Sequence, residues 1–396
     1  MSQRIKMITE YESGDYEISE LAEMYGVSRK TVHKWIERYE SGGWEALQDQ
    51  SRAPRHHPNA TAPEIERQLI GLKGRWPRWG APKLRHKLLE QLGAERCPAE
   101  STISEILRRH GLTSRRRRSK GQAVPSQQPL AHCQAANQVW CADFKGWFRT
   151  GNGKACLPLT ISDAHSRYLL CCRGLSRATG HVSVKPLFIE TFRQYGLPVA
   201  LRTDNGPPFA SLGLGGLSPL AVWWVRLGIG LERIEPGSPQ QNGRHERMHR
   251  TLKEATAQPP AGHLGAQQER FDAFRQEYNQ ERPHEGLNQQ TPASVYGPSA
   301  RAYPERLPDQ RGYPEDWQKR RVRHNGEIKW GGGRLYLSEA LVDQEIGLEP
   351  ISEGLWAVHF ESLQLGTINA RTGRLQRCKR LACQTQAPTG EMNLNE

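Results

Sequence analysis

The chain has 396 residues, a formal net charge of +13 at pH 7 and an isoelectric point near 9.5. This length is more than one compact domain usually holds, so we expect two or three domains. The excess of Lys and Arg indicates a polyanionic partner, because these side chains release counterions from phosphates, and nucleic acid is the first candidate. The sequence has neither a secretory signal nor an apolar run of roughly 20 residues, which predicts a soluble cytoplasmic protein without membrane contact.

The cysteine pattern is also typical of a cytoplasmic protein. The eight cysteines form no CxxC pair, and Cys171 and Cys172 lie together in an apolar run. Burial as reduced thiols is the simplest interpretation. We therefore expect neither disulfides nor a zinc site.

The first 50 residues predict a helix-turn-helix. Two short amphipathic segments meet at Gly26, and Ser28 is placed to cap the second helix, whose apolar face carries Val32, Trp35, Ile36 and Tyr39. The opposite face of this helix is basic and carries Arg29, Lys30, His33, Lys34 and Arg38. A recognition helix in a major groove has such a face, although an ordinary helical hairpin with a solvated basic face has it too. The glycine turn and the capping serine favour the helix-turn-helix.

Residues 60–113 follow a proline-marked linker and show the same pattern of amphipathic helical segments. The segments "APKLRHKLLEQLG" and "AESTISEILRRHGL" predict two more helices and a second helix-turn-helix or winged-helix-like module. The alternative is a structural three-helix core packed by Trp76 and Trp79. Residues 114–137 then predict a basic linker, in which four arginines are either solvated or lie along phosphates; they are Arg115, Arg116, Arg117 and Arg118.

From residue 138 the pattern becomes α/β. Three strands, a helix, a strand, a helix and a last strand follow in the order of a ribonuclease H-like layer, within a core predicted at 138–298. Short alternating segments at 318–380 predict a small β-barrel. The predicted fold class is therefore multidomain: all-α N-terminal modules, an α/β ribonuclease H-like catalytic core and a small all-β C-terminal barrel.

Three acids of this core are candidate metal ligands. Asp143 lies inside the first strand, Asp204 closes the fourth, and Glu246 lies on the helix that follows "PGSPQQNGRH". Carboxylates without an accompanying His or Cys cluster suit Mg²⁺ or Mn²⁺, and a pair of such ions could promote in-line phosphodiester displacement. Each acid has an ordinary alternative. Asp143 could be a buried acid with hydrogen-bond partners, and Asp204 could cap an Asp-Asn-Gly turn. Glu246 could be a solvated helix acid. Asp163 is a rival, although its position between two apolar runs favours a hairpin turn.

Helical spacing also groups Glu246 with Asn242, His249, Arg250 and Lys253. Polar and basic side chains beside a metal site could hold a phosphate backbone against it. The alternative is a merely amphipathic helix that turns these charges to solvent.

Four segments carry a family resemblance: "WCADF", "RTDNGPPF", "PGSPQQNGRHERMHRTLK" and "YNQERPHEGLNQQTPASVY". They resemble the catalytic core of the retroviral-integrase superfamily, in particular bacterial insertion-sequence transposases. By this likeness Asp143, Asp204 and Glu246 take the place of the family's Asp, Asp and Glu triad. Asn242, Arg250 and Lys253 match positions near the bound DNA end. The zinc-binding His and Cys module that precedes the retroviral core is missing.

The resemblance implies a transposase that depends on two Mg²⁺ or Mn²⁺ ions and acts on double-stranded DNA in the bacterial cytoplasm, near the nucleoid. Water frees a 3′-hydroxyl at the element's end, and this hydroxyl attacks target DNA without a covalent protein–DNA link. Both ends must be held together, which implies at least a dimer. A nuclease that only hydrolyses and a DNA-binding regulator with an idle core are the alternatives. We expect the segment 278–296 to brace the core, with Arg282 and His284 as possible DNA contacts.

Overall fold

The computed structural model describes residues 2–49, 60–113, 133–176, 180–234 and 243–378. Most of the predicted basic linker, including Arg115, Arg116, Arg117 and Arg118, lies outside these ranges, as does Asn242. The chain divides into two compact units, residues 1–67 and 68–396. Among the helices of the described ranges, none is both long enough and apolar enough to cross a membrane.

The first unit is helical. It contains α1 (Ser2–Ser13), α2 (Ile18–Met24), α3 (Arg29–Gly42) and a 3₁₀ turn (Gly43–Leu47). Gly26 makes the turn between α2 and α3 with a φ of 62°, which glycine adopts without strain, and Ser28 Oγ accepts a hydrogen bond from the Thr31 N–H at the start of α3. The buried core of this unit contains Leu21, Val32, Ile36 and Leu47. The predicted helix-turn-helix geometry is therefore confirmed.

A second helical group follows, with α4 (Pro63–Arg75), α5 (Ala81–Leu92) and α6 (Glu100–Arg109). The apolar faces of α5 and α6 are buried, as the sequence predicts. Trp76 and Trp79 stack with ring centroids 4.3 Å apart and are also buried, as the structural three-helix core requires. The geometry of this group therefore fits both interpretations of residues 60–113.

The α/β core is a sheet with helices on both faces. Its strands are β1 (Val139–Phe144), β2 (Phe148–Arg149), β3 (Ala155–Asp163), β4 (Leu169–Leu175), β5 (Ala200–Thr203) and β6 (Gly230–Arg233). β3 pairs antiparallel with β1, β2 and β4, whereas β1, β5 and β6 run parallel. The intervening helices are α7 (His181–Tyr195) and α8 (Pro219–Arg226). The predicted order of elements is therefore observed, with the two-residue β2 as an additional strand.

Side-chain alternation along the strands separates two layers. Trp140 and Ala142 of β1 pack with α7 and α8 on one face. On the other face, α9 (Gly243–Thr256) and α10 (Leu264–Gln276) pack with Cys156, Leu169 and Cys172. Cys171 and Cys172 are buried free thiols, and burial raises their pKa values above the ordinary range. Because Asp143 lies one residue beyond Ala142, it belongs to the α9 side of the sheet.

The C-terminal part is all-β. After α11 (Pro292–Val295), a five-stranded antiparallel sheet has the order β13-β12-β11-β10-β7, and β8 and β9 form a separate hairpin. The bounds are β7 (Gln318–Arg321), β8 (Glu327–Trp330), β9 (Gly333–Tyr336), β10 (Glu345–Ser352), β11 (Leu355–Phe360), β12 (Leu363–Asn369) and β13 (Arg374–Arg377). β13 and β7 are the edges of this sheet, so closure into a barrel stays a prediction.

Candidate active site

Two of the predicted acids lie at one edge of the sheet because of strand register. β1 and β5 are parallel neighbours, with Cys141 opposite Arg202. Asp143 and Asp204 each follow two residues later, so they stand side by side at the carboxyl ends of their strands. Ligand sites of open α/β sheets form at this edge.

The third acid reaches the same place from a helix. Glu246 lies in the first turn of α9 and is exposed. Burial raises the pKa of Asp143 to about 6, and the negative charges of Asp204 and then Glu246 add to this shift, while a hydrogen bond from the Phe144 N–H opposes it. The structure thus brings Asp204 and Glu246 within electrostatic range of Asp143.

Asp204 also has a role in its turn. Its Oδ1 accepts a hydrogen bond from the Gly206 N–H at 3.2 Å, as expected for an Asp-Asn-Gly turn. Arg233 Nη1 donates to the Thr203 hydroxyl at 3.2 Å and to the Asp204 carbonyl at 3.3 Å. Asp204 is therefore a turn cap and a neighbour of Asp143 at once, and the two interpretations of this residue do not exclude each other.

Two histidines lie where the sequence analysis expected only carboxylates. His245 and His249 are buried on α9, and with Asp143 they form a group whose potential ligand atoms lie within 4.8 Å of one another. The expectation of acids without an accompanying His cluster is therefore wrong. The signal was present in the sequence, since His245 and His249 have the i, i+4 spacing of one helix face, which they share with the apolar Met248 and Leu252.

The histidines are bonded to hydroxyl groups of β3. Thr160 Oγ1 lies 2.8 Å from His245 Nε2 and 2.6 Å from His249 Nε2, and Ser162 Oγ lies 3.0 Å from His245 Nδ1. His249 Nδ1 lies 3.7 Å from Asp143 Oδ2. Burial lowers the pKa of His245 to about 3 and that of His249 to about 2, so both rings are neutral at physiological pH. His249 is consequently not a cation on the DNA-facing stripe, which corrects that prediction.

The remaining residues of the predicted stripe are exposed. Glu246, Arg250 and Lys253 have i, i+4 and i+7 spacing on α9, and each is open to solvent. On α3 the predicted basic face is also open: Arg29, Lys30, His33 and Lys34 are exposed. Arg38 is half-buried, with its guanidinium carbon 4.9 Å from the ring centre of Trp35.

Asp163 is excluded from the site by its own hydrogen bonds. It is buried, and its carboxylate accepts bonds from the Ser166 N–H, the Ser166 hydroxyl and the Asn137 N–H at 2.6 to 2.7 Å. These bonds hold the turn between β3 and β4. The prediction of a hairpin-turn role is confirmed.

The segment 278–296 braces the core, as the sequence analysis expected. The Asn279 side chain accepts a hydrogen bond from the Leu169 N–H and donates one to the Leu169 carbonyl. Lys83 Nζ donates to the Pro283 carbonyl, which ties α5 to this segment. His284 is buried against the ring of Tyr278, so it is not available to DNA, whereas Arg282 is half-buried.

The raised pKa of Asp143 predicts a measurable cost to stability. Because the folded-state pKa of about 6 exceeds the ordinary aspartate value of 3.8, this carboxyl lowers the free energy of unfolding as pH rises from about 4 to 6. We expect Asp143→Asn to stabilise the metal-free protein at pH 8 by up to about 3 kcal/mol, with the difference vanishing near pH 3. Urea denaturation in EDTA measures this. Asp163→Asn is the matched control and should destabilise the protein, since Asp163 accepts three hydrogen bonds; a destabilised Asp143→Asn would contradict the account.

Three family models match the chain. The model described as an integrase core domain matches residues 227–292, which contain Glu246 and most of the bracing segment. A helix-turn-helix domain matches residues 3–55, and a homeodomain-like domain matches residues 31–107. The DNA-binding class predicted for the N-terminal helices is thus supported by two matches.

Relatives come from mobile elements. The chain is 29% identical over 230 residues to a 31.7 kDa protein of insertion element IS407 of Burkholderia multivorans, covering 57% of this chain and 78% of that protein. It is 29% identical over 186 residues to a 39.2 kDa protein of IS476 of Xanthomonas euvesicatoria, covering 46% of this chain and 51% of that one. It is also 38% identical over 76 residues to the Gag-Pol polyprotein of baboon endogenous virus, covering 19% of this chain and 4% of the polyprotein.

Among solved structures, the magnesium complex of the HTLV-2 integrase catalytic core domain is similar at 14% identity and a TM-score of 0.33, over 41% of this chain and 99% of that one. The family matches and the insertion-element relatives agree with the order of elements and with the motifs around the acids. The chain therefore matches a helix-turn-helix domain over residues 3–55 and an integrase core domain over residues 227–292, and it is similar to proteins of two insertion elements.

Proposed function

We propose that this protein is a DNA transposase that cleaves the ends of a mobile element and joins them to target DNA. The observation that carries the proposal is the convergence of Asp143, Asp204 and Glu246 at one edge of the sheet. Their mutual repulsion makes the metal-free site unfavourable, as expected where divalent cations complete it. In this proposal the three residues are the catalytic acids.

The donor set fits magnesium or manganese. Three carboxylates offer hard oxygen ligands, and the nitrogen atoms of His245 are already bonded to the hydroxyls of Thr160 and Ser162. We propose two Mg²⁺ or Mn²⁺ ions held by the three acids. When bound, such ions polarise the scissile phosphate and stabilise the leaving oxygen. The contribution of the chain is to hold the carboxylates at fixed positions and to orient the DNA strand beside them.

Cationic side chains near the acids are suited to hold that strand. Arg250 and Lys253 extend the exposed face of α9 beyond Glu246, and Lys145 follows the end of β1 closely enough to oppose the raised pKa of Asp143. Contacts of this kind position the phosphate backbone but carry no sequence information. Lys145 was not predicted as a DNA contact, although its position two residues after Asp143 was a signal for it. We propose that Asn242 joins these contacts.

Recognition of the element ends is assigned to the N-terminal modules. The exposed Arg29, Lys30, His33 and Lys34 of α3 would enter the major groove, with Arg38 beside them. Arg115, Arg116, Arg117 and Arg118 would lie along phosphates without sequence preference. Because two ends must be joined to one target, we propose that the active species on DNA is at least a dimer.

Strand-transfer assays test the proposal. We expect protein, Mn²⁺ and the terminal sequences of its element to yield covalently joined products with a plasmid, and Glu246→Gln to abolish them while end binding persists. Glu254→Gln is the matched control, since Glu254 is an exposed acid two turns further along α9. Nicks without joined products would favour a hydrolytic nuclease. End binding without any cleavage would favour a regulator with an idle core.

The recognition helix is tested separately by salt dependence. Lys30→Ala should weaken binding to the element ends and reduce the slope of log K against log salt by about 0.9, the contribution of one phosphate contact. Lys6→Ala removes an equally exposed charge from α1 and should change neither quantity. Equal effects of both substitutions would show that α3 has no privileged role in binding.

A further inference from the structure

The buried hydroxyl and histidine side chains beside Asp143 form one continuous chain between β3 and α9. Thr160, Ser162, His245 and His249 are each less than 9% exposed, and their contacts range from 2.6 to 3.0 Å. Apolar residues fill most of this interface, for example Met248 and Leu252. A polar group this deeply buried is costly unless every member has a partner, so its geometry is narrowly fixed.

The contacts of Thr160 and Ser162 with His245 and His249 fix the position of α9 against β3, and we call them the register lock. His245 and His249 are one helical turn apart, about 6 Å along α9, and Thr160 and Ser162 are two strand residues apart, about 7 Å along β3. These two spacings are similar, and Thr160 contacts both histidines while Ser162 contacts His245 at the observed position of α9. A shift of one residue in either element would leave buried polar atoms without partners.

This lock involves both acids. Thr160 is the antiparallel partner of Asp143, and its hydroxyl also lies 3.2 Å from the Asp143 carbonyl oxygen. Glu246 follows His245 directly on α9. Whatever fixes α9 against β3 therefore fixes the separation between Asp143 and Glu246.

The number of protons on these side chains determines which group donates in each hydrogen bond. A threonine hydroxyl has one proton and a neutral imidazole one N–H. Thr160 Oγ1 donates its proton to the Asp143 carbonyl, so His245 and His249 each donate an Nε2–H to Thr160 Oγ1. Ser162 then donates to His245 Nδ1, and His249 Nδ1, which lies 3.7 Å from Asp143 Oδ2, carries no proton.

We propose that Thr160, together with His245 and His249, is a positioning residue that sets the Asp143–Glu246 separation needed to bind divalent metal. This inference rests on the proposed function, because it assigns the two acids to a metal site. The histidines act by fixing α9 against β3, since the hydroxyls occupy both ring nitrogens of His245 and Nε2 of His249.

The experiment compares Thr160→Val with Thr160→Ser in the full-length protein. Valine matches the shape of threonine without the hydroxyl, whereas serine keeps the hydroxyl. Mn²⁺ binding is measured by calorimetry, together with affinity for element-end DNA and thermal unfolding in EDTA. We expect Thr160→Val to weaken Mn²⁺ binding about tenfold with unchanged DNA affinity, and Thr160→Ser to stay within about twofold of the unmodified protein.

Each outcome has one consequence. A folded Thr160→Val protein with normal Mn²⁺ affinity, or equal losses in both variants, would overturn the positioning role. If Thr160→Val does not fold, Ser162→Ala removes only the outermost contact, and unchanged Mn²⁺ binding there would also overturn it. An unmodified protein that binds no Mn²⁺, or binds it equally after Asp204→Asn, would overturn the proposed metal site and the positioning role with it.

Discussion

The burial of the Asp143 carboxyl beside two further acids, Asp204 and Glu246, is the constraint on which the rest of this structure depends. Asp143 is partly buried, and Asp204 and Glu246 raise its pKa further, so the folded chain holds together groups that would separate in water. The sheet and α9 must supply the opposing free energy. They do so through the two apolar layers and through the polar contacts between Thr160 and the two histidines.

The architecture explains how residues distant in sequence meet. Parallel pairing of β1 with β5 aligns Asp143 with Asp204, and packing of α9 on β3 adds Glu246 from a separate element. The segment 278–296 braces this assembly, since Asn279 bonds both backbone groups of Leu169 and Pro283 accepts a bond from Lys83. Asp143 and the contacts that hold α9 thus lie on the same side of the sheet.

Sequence patterns predicted most of the fold because strand and helix periods differ and the turns carry clear signals, such as Gly26 with Ser28. Short motifs around Asp143, Asp204 and Glu246 also predicted these acids as candidates, and their role as metal ligands stays a prediction. The side on which His249 lies was not predicted correctly. The spacing of His249 from Glu246 fits the exposed stripe of α9 nearly as well as its buried face. The hydroxyl of Thr160 on β3 makes His249 a buried residue, and Thr160 is 89 residues away in the sequence. Barrel closure at the C-terminus depends equally on long-range pairing.

The central claim is that the three acids form one metal site. The most direct test is a crystal of the full-length protein soaked in Mn²⁺, with anomalous difference density to locate the ions. The account predicts density between Asp143 and Asp204, with Glu246 completing the coordination and no density bonded to His245 or His249. Density on the histidines, or none near Asp204, would contradict it.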